Sequence, residues 1–160
     1  MAEAVIGMGA NLGNRKGNLE QAIDALGRLP RTRVLASSRL YETAPFGVPD
    51  SQPDYINCCI RLETGLSPHV LLGACLGIEA AMGRVRLGEK SARCIDIDVL
   101  LYEGVSLQTE ELTLPHPRMA ERAFVLIPLA DLFPGQSALG YDFFSLLQKA
   151  GKNGVRLYEE

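Results

Sequence analysis

The sequence has 160 residues, 47% of them hydrophobic, and a formal net charge of −3 at pH 7. This length and apolar content suit a single domain with its own core over residues 1–160 and exclude a disordered chain. The slightly acidic balance argues against nucleic acid or an anionic membrane as the main partner. We therefore expect a monomer that acts on small molecules.

The N-terminal residues and the cysteines indicate the compartment. Met1 leads directly into a short apolar run with no basic region before it, which argues against a signal peptide or a spanning helix. The cytoplasm is the expected location. Cys58, Cys59, Cys75 and Cys94 follow no zinc-binding spacing and carry no sign of a disulfide framework. We predict that they are small, buried, apolar side chains.

Hydrophobic periodicity predicts a core of strand, helix, strand, strand, helix and strand, followed by a helical tail. The predicted core elements are residues 4–8, 14–29, 32–41, 55–64, 68–83 and 93–102. The tail is predicted as an extended piece at 112–117, helical turns over 118–132 that Pro128 interrupts, and a short helix over 142–149. This order is that of an α+β, ferredoxin-like βαββαβ core. It predicts a four-stranded antiparallel sheet with both helices on one face, plus a helical C-terminal extension.

Two connections between these elements are candidates for function. The first strand runs into Gly7, Gly9 and Gly13, but the sequence lacks the Lys-Ser/Thr of a P-loop and the spacing of a dinucleotide fingerprint. Close backbone packing and a tight turn are therefore favoured over a phosphate cradle. The proline-rich connection over residues 43–54 is long enough to be functional, although an ordinary surface loop is equally compatible.

The last core strand carries two aspartates in an unusual place. Ile95, Ile97, Val99 and Leu101 alternate with Asp96, Asp98, Leu100 and Tyr102, so both carboxylates are predicted on one face. Aspartate is disfavoured in strands. Two carboxylates without a nearby histidine or cysteine pattern suit Mg²⁺. The alternative is a strand with one wet face.

A basic segment precedes these aspartates. Residues 84–93 contain four cations, Arg84, Arg86, Lys90 and Arg93, against one acid, Glu89. Such a run is often a solvated face, but beside a carboxylate site it is better interpreted as an anion clamp. Metal-bound carboxylates with arginines are what phosphoryl transfer needs, because the metal neutralises phosphate oxygens and the arginines stabilise charge on the transferred group.

Short motifs along the chain resemble those of the 6-hydroxymethyl-7,8-dihydropterin pyrophosphokinase family of folate biosynthesis. The matching segments, which extend over about residues 4–133, are Glu79 and the runs GANLG at 9–13, YETAP at 41–45, QPDYIN at 52–57, GRVR at 83–86, RCIDIDVL at 93–100, LPHP at 114–117 and RAFVL at 122–126. The resemblance implies transfer of pyrophosphate from ATP to the hydroxymethyl group of the pterin, with release of AMP.

The resemblance also implies roles for individual residues. Asp96 and Asp98 would bind two Mg²⁺ ions that bridge the ATP phosphates, and with Arg84 and Arg93 they would form the catalytic set. The ATP-binding residues would be Glu79, Arg84, Arg86, Arg93, Val99, Thr113, His116 and Arg122. The pterin-binding residues would be Thr43, Pro45, Phe46, Tyr55, Asn57 and Phe124, with Tyr55 and Phe124 stacking on the two ring faces.

The sequence departs from the family pattern in its ATP-binding region. It has no tryptophan, where the family often has one in the basic segment, and Leu76 and Glu111 stand where glutamine and arginine are frequent. Two other functions stay open on the residues alone. One is a non-catalytic ferredoxin-like module that binds a nucleotide or another ligand, and the other is a different pterin or nucleotide enzyme on the same fold.

Overall fold

The computed structural model describes residues 1–44, 53–83, 94–152 and 154–159. The helices are α1 (Arg15–Gly27), α2 (Pro68–Ala81), α3 (Ala123–Leu132) and α4 (Phe144–Ala150), with a 3-10 turn at Met119–Glu121. The strands are β1 (Ala2–Ala10), β2 (Thr32–Ser37), β3 (Tyr41–Thr43), β4 (Tyr55–Thr64), β5 (Asp96–Tyr102), β6 (Leu107–Gln108), β7 (Thr113–Leu114), β8 (Ser137–Ala138), β9 (Tyr141–Asp142) and β10 (Arg156–Leu157). In these ranges we find no helix with the length and apolar character needed to cross a membrane.

Local signals set the starts of the first two helices. The side chain of Asn14 accepts a hydrogen bond from the Gly17 backbone N–H at 3.0 Å, as expected of an N-cap residue before α1. Pro68 occupies the first turn of α2, where its missing N–H costs nothing. Ser67 stands at the N-cap of α2 as predicted, but its side chain makes no capping hydrogen bond.

The main sheet is antiparallel and has the strand order β10-β3-β4-β1-β5, so β1 and β4 are central. The prediction of one continuous strand over residues 32–41 was wrong. β2 pairs with one half of β4 and β3 with the other half. Between them, the Oγ of Ser38 takes the place of a backbone carbonyl as acceptor, and the Cys59 backbone N–H donates a hydrogen bond to it at 2.9 Å.

Helices α1 and α2 cover one face of the sheet. Each helix buries an apolar stripe, with Leu19 and Leu26 of α1 and Leu71 and Cys75 of α2 fully buried. They pack on the inward-facing side chains of the strands, among them Ile6, Ile56, Ile60 and Ile97. Burial of this apolar area is the main term that stabilises the sheet and both helices together.

The opposite face is not open along its whole length, contrary to the sequence-based expectation. Helices α3 and α4 cover half of it and form a second core around Cys59, Leu100 and Phe143. Pro128 does not interrupt α3, because the loss of one backbone hydrogen bond is outweighed by the burial of neighbours such as Leu126 and Leu129. The uncovered half of this face carries the predicted site residues Tyr55, Asn57, Asp96 and Asp98.

A β-bulge in β5 corrects the predicted alternation. Val99 pairs with Ile6 and Leu101 pairs with Val5, which leaves Leu100 as an extra residue between them. The side-chain alternation therefore changes phase. Leu101 joins Leu100 in the second core, and Tyr102 contacts the first. Leu101 and Tyr102 therefore each lie on the face opposite to the one that strict alternation predicts.

The cysteines are structural, as predicted from their spacing. Cys58, Cys59 and Cys75 are buried and free, and Cys94 is half-buried. Burial raises the pKa of the Cys58 and Cys75 thiols to about 12, so these side chains stay protonated at neutral pH and are poor nucleophiles.

A half-buried carboxylate on α3 gives the protein an acid-sensitive contact. Asp131 accepts two side-chain hydrogen bonds from Arg39, at 2.9 and 3.2 Å, and a third from the Tyr41 hydroxyl. Burial alone would raise the pKa of Asp131, but these hydrogen bonds outweigh it and hold the pKa below its usual 3.8.

Because the pKa of Asp131 is lower in the folded state than in the unfolded state, its stabilising effect is present above about pH 4 and lost as the pH falls further. Asp131→Asn should lower the melting temperature at pH 7 by a few degrees. The difference from the unsubstituted protein should shrink in thermal scans as the pH falls below about 4. The exposed Asp24, paired with Arg28 on α1, supplies the control Asp24→Asn. A difference that does not vary with pH would contradict this role of the charge.

Candidate active site

Three neighbouring strands bring the predicted polar residues into one row on the uncovered half of the sheet. Gly9 of β1 pairs with Asn57 of β4 on one side and with Asp96 of β5 on the other. Two residues earlier on β1, Gly7 pairs with Asp98. The aspartates and Asn57 therefore flank a stretch of the central strand, Gly7 to Gly9, that carries no side chain on this face.

The two glycines make the floor of this site, and both are needed for steric reasons. A Cβ atom at Gly9 would lie 2.7 Å from the Asn57 Oδ1 atom, and one at Gly7 would lie 3.1 Å from a Leu100 methyl carbon. Close backbone packing is therefore the right interpretation for Gly7 and Gly9, which lie within β1. Gly13, with φ +68°, forms the turn that follows.

Asp96 and Asp98 are half-buried and stand two positions apart on β5, on the same face. Carboxylate oxygens of this kind fit Mg²⁺, which usually takes one or two carboxylates and completes its octahedron with water and phosphate oxygens. Over the described ranges no three His, Cys, Asp or Glu side chains are grouped to hold a metal ion. A magnesium ion here would therefore rely on oxygens from outside the protein as well.

Glu79 of α2 supports the strand that carries both aspartates. Its side chain is 2% exposed, and Oε2 accepts a hydrogen bond from the Ile97 backbone N–H at 2.7 Å. Ile97 lies between Asp96 and Asp98, on the edge of the sheet. This contact fixes the backbone from which both carboxylates project.

The amide of Asn57 is held in place from the other side. Its Nδ2 donates to the Thr43 Oγ1 at 2.9 Å, and both side chains are buried. Thr43 pairs with Tyr55 across β3 and β4, and the half-buried Tyr55 ring lies on the same face as Asn57. The result is an oriented amide beside an aromatic ring, an arrangement that can recognise the edge and the face of a flat heterocycle.

A pocket of about 220 Å³ adjoins the aspartates. Its lining includes the predicted residues Asp98, Val99, Thr113 and His116. Residues that the sequence did not single out also line it, namely Leu72, Glu110, Leu112 and Pro117, as does Glu111, noted in the sequence only as a departure from the family. Their apolar and polar mixture is typical of small-molecule sites.

His116 is fixed in this pocket by the β5 bulge. Its backbone N–H donates to the Leu100 carbonyl at 2.9 Å, and its Nδ1 accepts from the Arg118 backbone N–H at 3.2 Å. Burial, and then the charges of Arg122 and Arg118, lower the pKa of His116 below its usual 6.5. The ring is therefore neutral at pH 7, and its proton lies on Nε2.

The first residues of α3 complete the described part of the site. The guanidinium of Arg122 lies over the Phe124 ring, 5.4 Å from its centre, a cation–π distance. Phe124 is half-buried and contacts the second core. The charge of Arg122 lowers the pKa of His116, and that of Asp96 raises it.

The sequence also matches a known family. The sequence model of the family described as 7,8-dihydro-6-hydroxymethylpterin-pyrophosphokinase (HPPK) matches residues 5–134. This chain belongs to the HPPK family.

Curated relatives agree with this assignment. The 2-amino-4-hydroxy-6-hydroxymethyldihydropteridine pyrophosphokinase of Methylorubrum extorquens is 42% identical over 159 residues, which are 99% of this chain and 100% of the relative. The protein of the same name from Bacillus subtilis is 40% identical over 129 residues, 81% of this chain and 77% of the relative. These relatives confirm the family and the enzyme class predicted from the sequence.

Solved structures agree at the level of the fold. The crystal structure of Plasmodium falciparum HPPK-DHPS with pterin and p-hydroxybenzoate has a TM-score of 0.71 at 15% identity. The match covers 98% of this chain and 47% of that one, so this chain spans about half its length. At this identity the likeness concerns the fold alone.

Five of the predicted site residues of this HPPK-family chain lie outside the described residues: Pro45, Phe46, Arg84, Arg86 and Arg93. Their roles stay predictions. The described ones fall into three neighbouring groups: the row on the glycine floor, the pocket around His116, and the start of α3. Sequence reasoning did not assign Gly7 and Gly9 to the site, although a strand that ends in alternating glycines is a signal for a face kept free of side chains.

Proposed function

We propose that this HPPK-family protein transfers the β,γ-pyrophosphate of ATP to the hydroxymethyl group of 6-hydroxymethyl-7,8-dihydropterin, as a step of folate biosynthesis. The observation that carries the proposal is the row of Asn57, Gly9 and Asp96 across β4, β1 and β5, with Asp98 one step along. It sets an oriented amide opposite two carboxylates, with a bare strand between them on which a flat substrate and a phosphate chain can lie.

Asp96 and Asp98 are proposed to hold two Mg²⁺ ions through their carboxylate oxygens. Bound magnesium would neutralise the phosphate oxygens of ATP and align the group that is transferred. The protein's own contribution is rigidity, because Glu79 fixes the Ile97 backbone between the two aspartates. The carboxylates then need little rearrangement when the cations bind.

The pocket beside Asp98 is proposed as the nucleotide site. Val99 and Thr113 line it, and neutral His116 can donate a hydrogen bond from Nε2 to a phosphate oxygen. Arg122 adds positive charge close by. Glu79, Arg84, Arg86 and Arg93 are proposed to complete this side of the site, as the family resemblance implies.

The pterin is proposed to lie over the glycine floor at Asn57. The amide would hydrogen-bond the edge of the ring, with the backbone of Thr43, Pro45 and Phe46 beside it, and Tyr55 and Phe124 would stack on its faces. The hydroxymethyl oxygen would then form a bond to the β-phosphorus, and the bond from that phosphorus to the α,β-bridging oxygen would break, releasing AMP. Loss of the hydroxyl proton accompanies this step, and Asp98 is a candidate to accept it.

We also propose the detailed topology of the fold, the cellular location and the oligomeric state. The strand order β5-β1-β4, with β2 and β3 both paired to the other side of β4, supports a ferredoxin-like βαββαβ core, and α3 and α4 support a C-terminal extension that covers half of the second face. We propose a cytoplasmic monomer of one domain over residues 1–160, without nucleic-acid or membrane partners.

Product analysis tests the function. The protein, incubated with ATP, Mg²⁺ and the hydroxymethylpterin, should form AMP and the pterin diphosphate in equal amounts. Omission of the pterin, or addition of EDTA, should abolish AMP formation. AMP formed at the same rate without pterin would overturn the transfer, and no turnover with all three present would favour the non-catalytic binding module.

Phe124→Ala tests the pterin slot. It should weaken pterin binding by about tenfold or more, because a stacked aromatic face contributes about 1–3 kcal/mol. Binding of a non-hydrolysable ATP analogue should change little. Calorimetry with each ligand measures both values, and the control Phe144→Ala removes an exposed ring of α4. Equal losses for the two ligands would mean that Phe124 serves the second core alone.

A further inference from the structure

A cluster of four charged side chains lies on the sheet face behind the pterin residues. Arg15 of α1 donates to the Glu42 Oε2 at 2.7 Å and to the Asp54 backbone carbonyl at 2.9 Å. Arg156 of β10 lies 3.1 Å from the Glu42 Oε1 and 2.6 Å from the Asp54 Oδ2. Each arginine therefore connects the same two partners.

The two partners immediately precede residues of the proposed pterin site. Glu42 precedes Thr43 on β3, and Asp54 precedes Tyr55, the first residue of β4. Because side chains alternate between the faces of a sheet, the cluster acts on this backbone from the face opposite to Thr43 and Tyr55. Thr43 in turn accepts the hydrogen bond that orients Asn57.

The cluster is more than an exposed ion pair. The Glu42 and Arg15 side chains are 19% and 25% exposed, so solvent screens these charges incompletely, while the side chain of Arg156 is 54% exposed at the outer side of the cluster. The Arg15 guanidinium also lies 5.7 Å from the centre of the Tyr158 ring. Isolated surface pairs contribute little, but shared networks with fixed geometry contribute more.

We propose that Arg156, together with Arg15, positions Thr43 and Tyr55 for the pterin, so that β10 is a supporting element of the substrate site. Arg156 lies beyond residues 5–134, which the family model matches. The proposal rests on the assignment of Thr43, Tyr55 and Asn57 to the pterin. The cluster contacts the chain before residues 45–52 at Glu42 and after them at Asp54, and the proposal does not depend on that segment.

The test compares Arg156→Ala with Arg33→Ala. Arg33 also pairs with a glutamate across two strands, at 3.3 Å from Glu63, but on β2, away from these residues. Arg156→Ala should raise KM for the pterin by about three- to tenfold, with KM for ATP unchanged. Arg33→Ala should change neither constant. Arg156→Lys keeps the positive charge but lacks the guanidinium group that contacts both Glu42 and Asp54. Its KM for the pterin should lie between those of the unsubstituted protein and Arg156→Ala.

Asn57→Ala separates failure of this proposal from failure of the pterin assignment. If Asn57→Ala leaves KM for the pterin unchanged, the pterin assignment is wrong, and this inference is overturned with it. If Asn57→Ala raises that KM but Arg156→Ala behaves like Arg33→Ala, only the positioning role is wrong. Equal increases in both KM values for Arg156→Ala, with a lower melting temperature, would show a purely structural contact and would also overturn the positioning role.

Discussion

Replacing Asp98 with asparagine should reduce the rate of pyrophosphate transfer by about a hundred- to a thousand-fold, the loss that follows removal of one preorganised electrostatic group. Asparagine has almost the same shape but no charge, so the fold should be retained while cation binding is weakened. Asp96→Asn should have an effect of the same order, because both carboxylates project from one face of β5 beside the same glycine floor.

The measurement is kcat at saturating ATP and pterin over a range of Mg²⁺ concentrations. A higher apparent Kd for Mg²⁺ is expected in both variants, together with the loss of turnover. Asp24→Asn is the control, since Asp24 is an exposed carboxylate on α1 that pairs only locally with Arg28 in the described structure. Near-normal turnover of both strand variants at saturating Mg²⁺ would disprove the metal assignment.

Gly9→Ala should damage the site through sterics alone. Its methyl group would lie 2.7 Å from the Asn57 Oδ1, closer than any real contact of that kind, and backbone surrounds it on both sides. Asn57 must then move and weaken its hydrogen bond with Thr43, and the new methyl group fills the floor. We expect a loss of about 1–3 kcal/mol in the free energy of unfolding, from overpacking. We also expect a tenfold to hundredfold lower kcat/KM for the pterin, from misplacement of a substrate contact.

Gly77→Ala provides a control for which the expected change in the free energy of unfolding has the opposite sign. A Cβ at Gly77, on the exposed side of α2, meets no atom within 4 Å. Alanine is favoured over glycine in a helix, so this variant should gain about 0.5–1 kcal/mol and keep full activity. Denaturant unfolding and steady-state kinetics on both variants provide the comparison. A Gly9→Ala protein with unchanged kcat/KM would show that the pterin does not lie over this floor.

Local patterns were sufficient to predict most of the sheet. The bounds of β4 agree with the predicted 55–64, because ten alternating residues and a flanking proline are signals contained in the segment itself. The start of α2 at Pro68 follows from the same kind of local rule. The two aspartates of β5 were also placed correctly on one face.

The errors concern features that depend on distant contacts. The bulge at Leu100 lies where β5 pairs with Val5 and Ile6 of β1, and a sequence window around β5 does not contain these partners. The division of β2 from β3 depends on the hydrogen bond between Ser38 and Cys59, which are 21 residues apart. The helix through Pro128 is stabilised by packing on β4 rather than by its own propensity.

The charged cluster behind the pterin residues was missed for a similar reason. Arg15, Glu42, Asp54 and Arg156 come from four distant parts of the chain, and each looks like an ordinary surface charge in the sequence. Only the pairing of β10 with β3 brings Arg156 next to Glu42. Glu42 and Asp54 lie within the motifs YETAP and QPDYIN, but those contiguous motifs do not show that Arg15 and Arg156 pair with them.

The extra residue in β5 is the one place where this strand can change length without a change of faces. Asp96 and Asp98 precede Leu100 in the sequence and Leu101 follows it, and all four side chains lie on the same face of the sheet. Deleting Leu100 would leave Val99 opposite Ile6 and Leu101 opposite Val5, so both halves of the strand would keep their faces. Deleting a residue from the regular part, such as Ile97, would instead turn Asp96 to the opposite face. Genetic variation in β5 is therefore expected to consist of substitutions, with changes of length confined to the bulge and to the connections on either side.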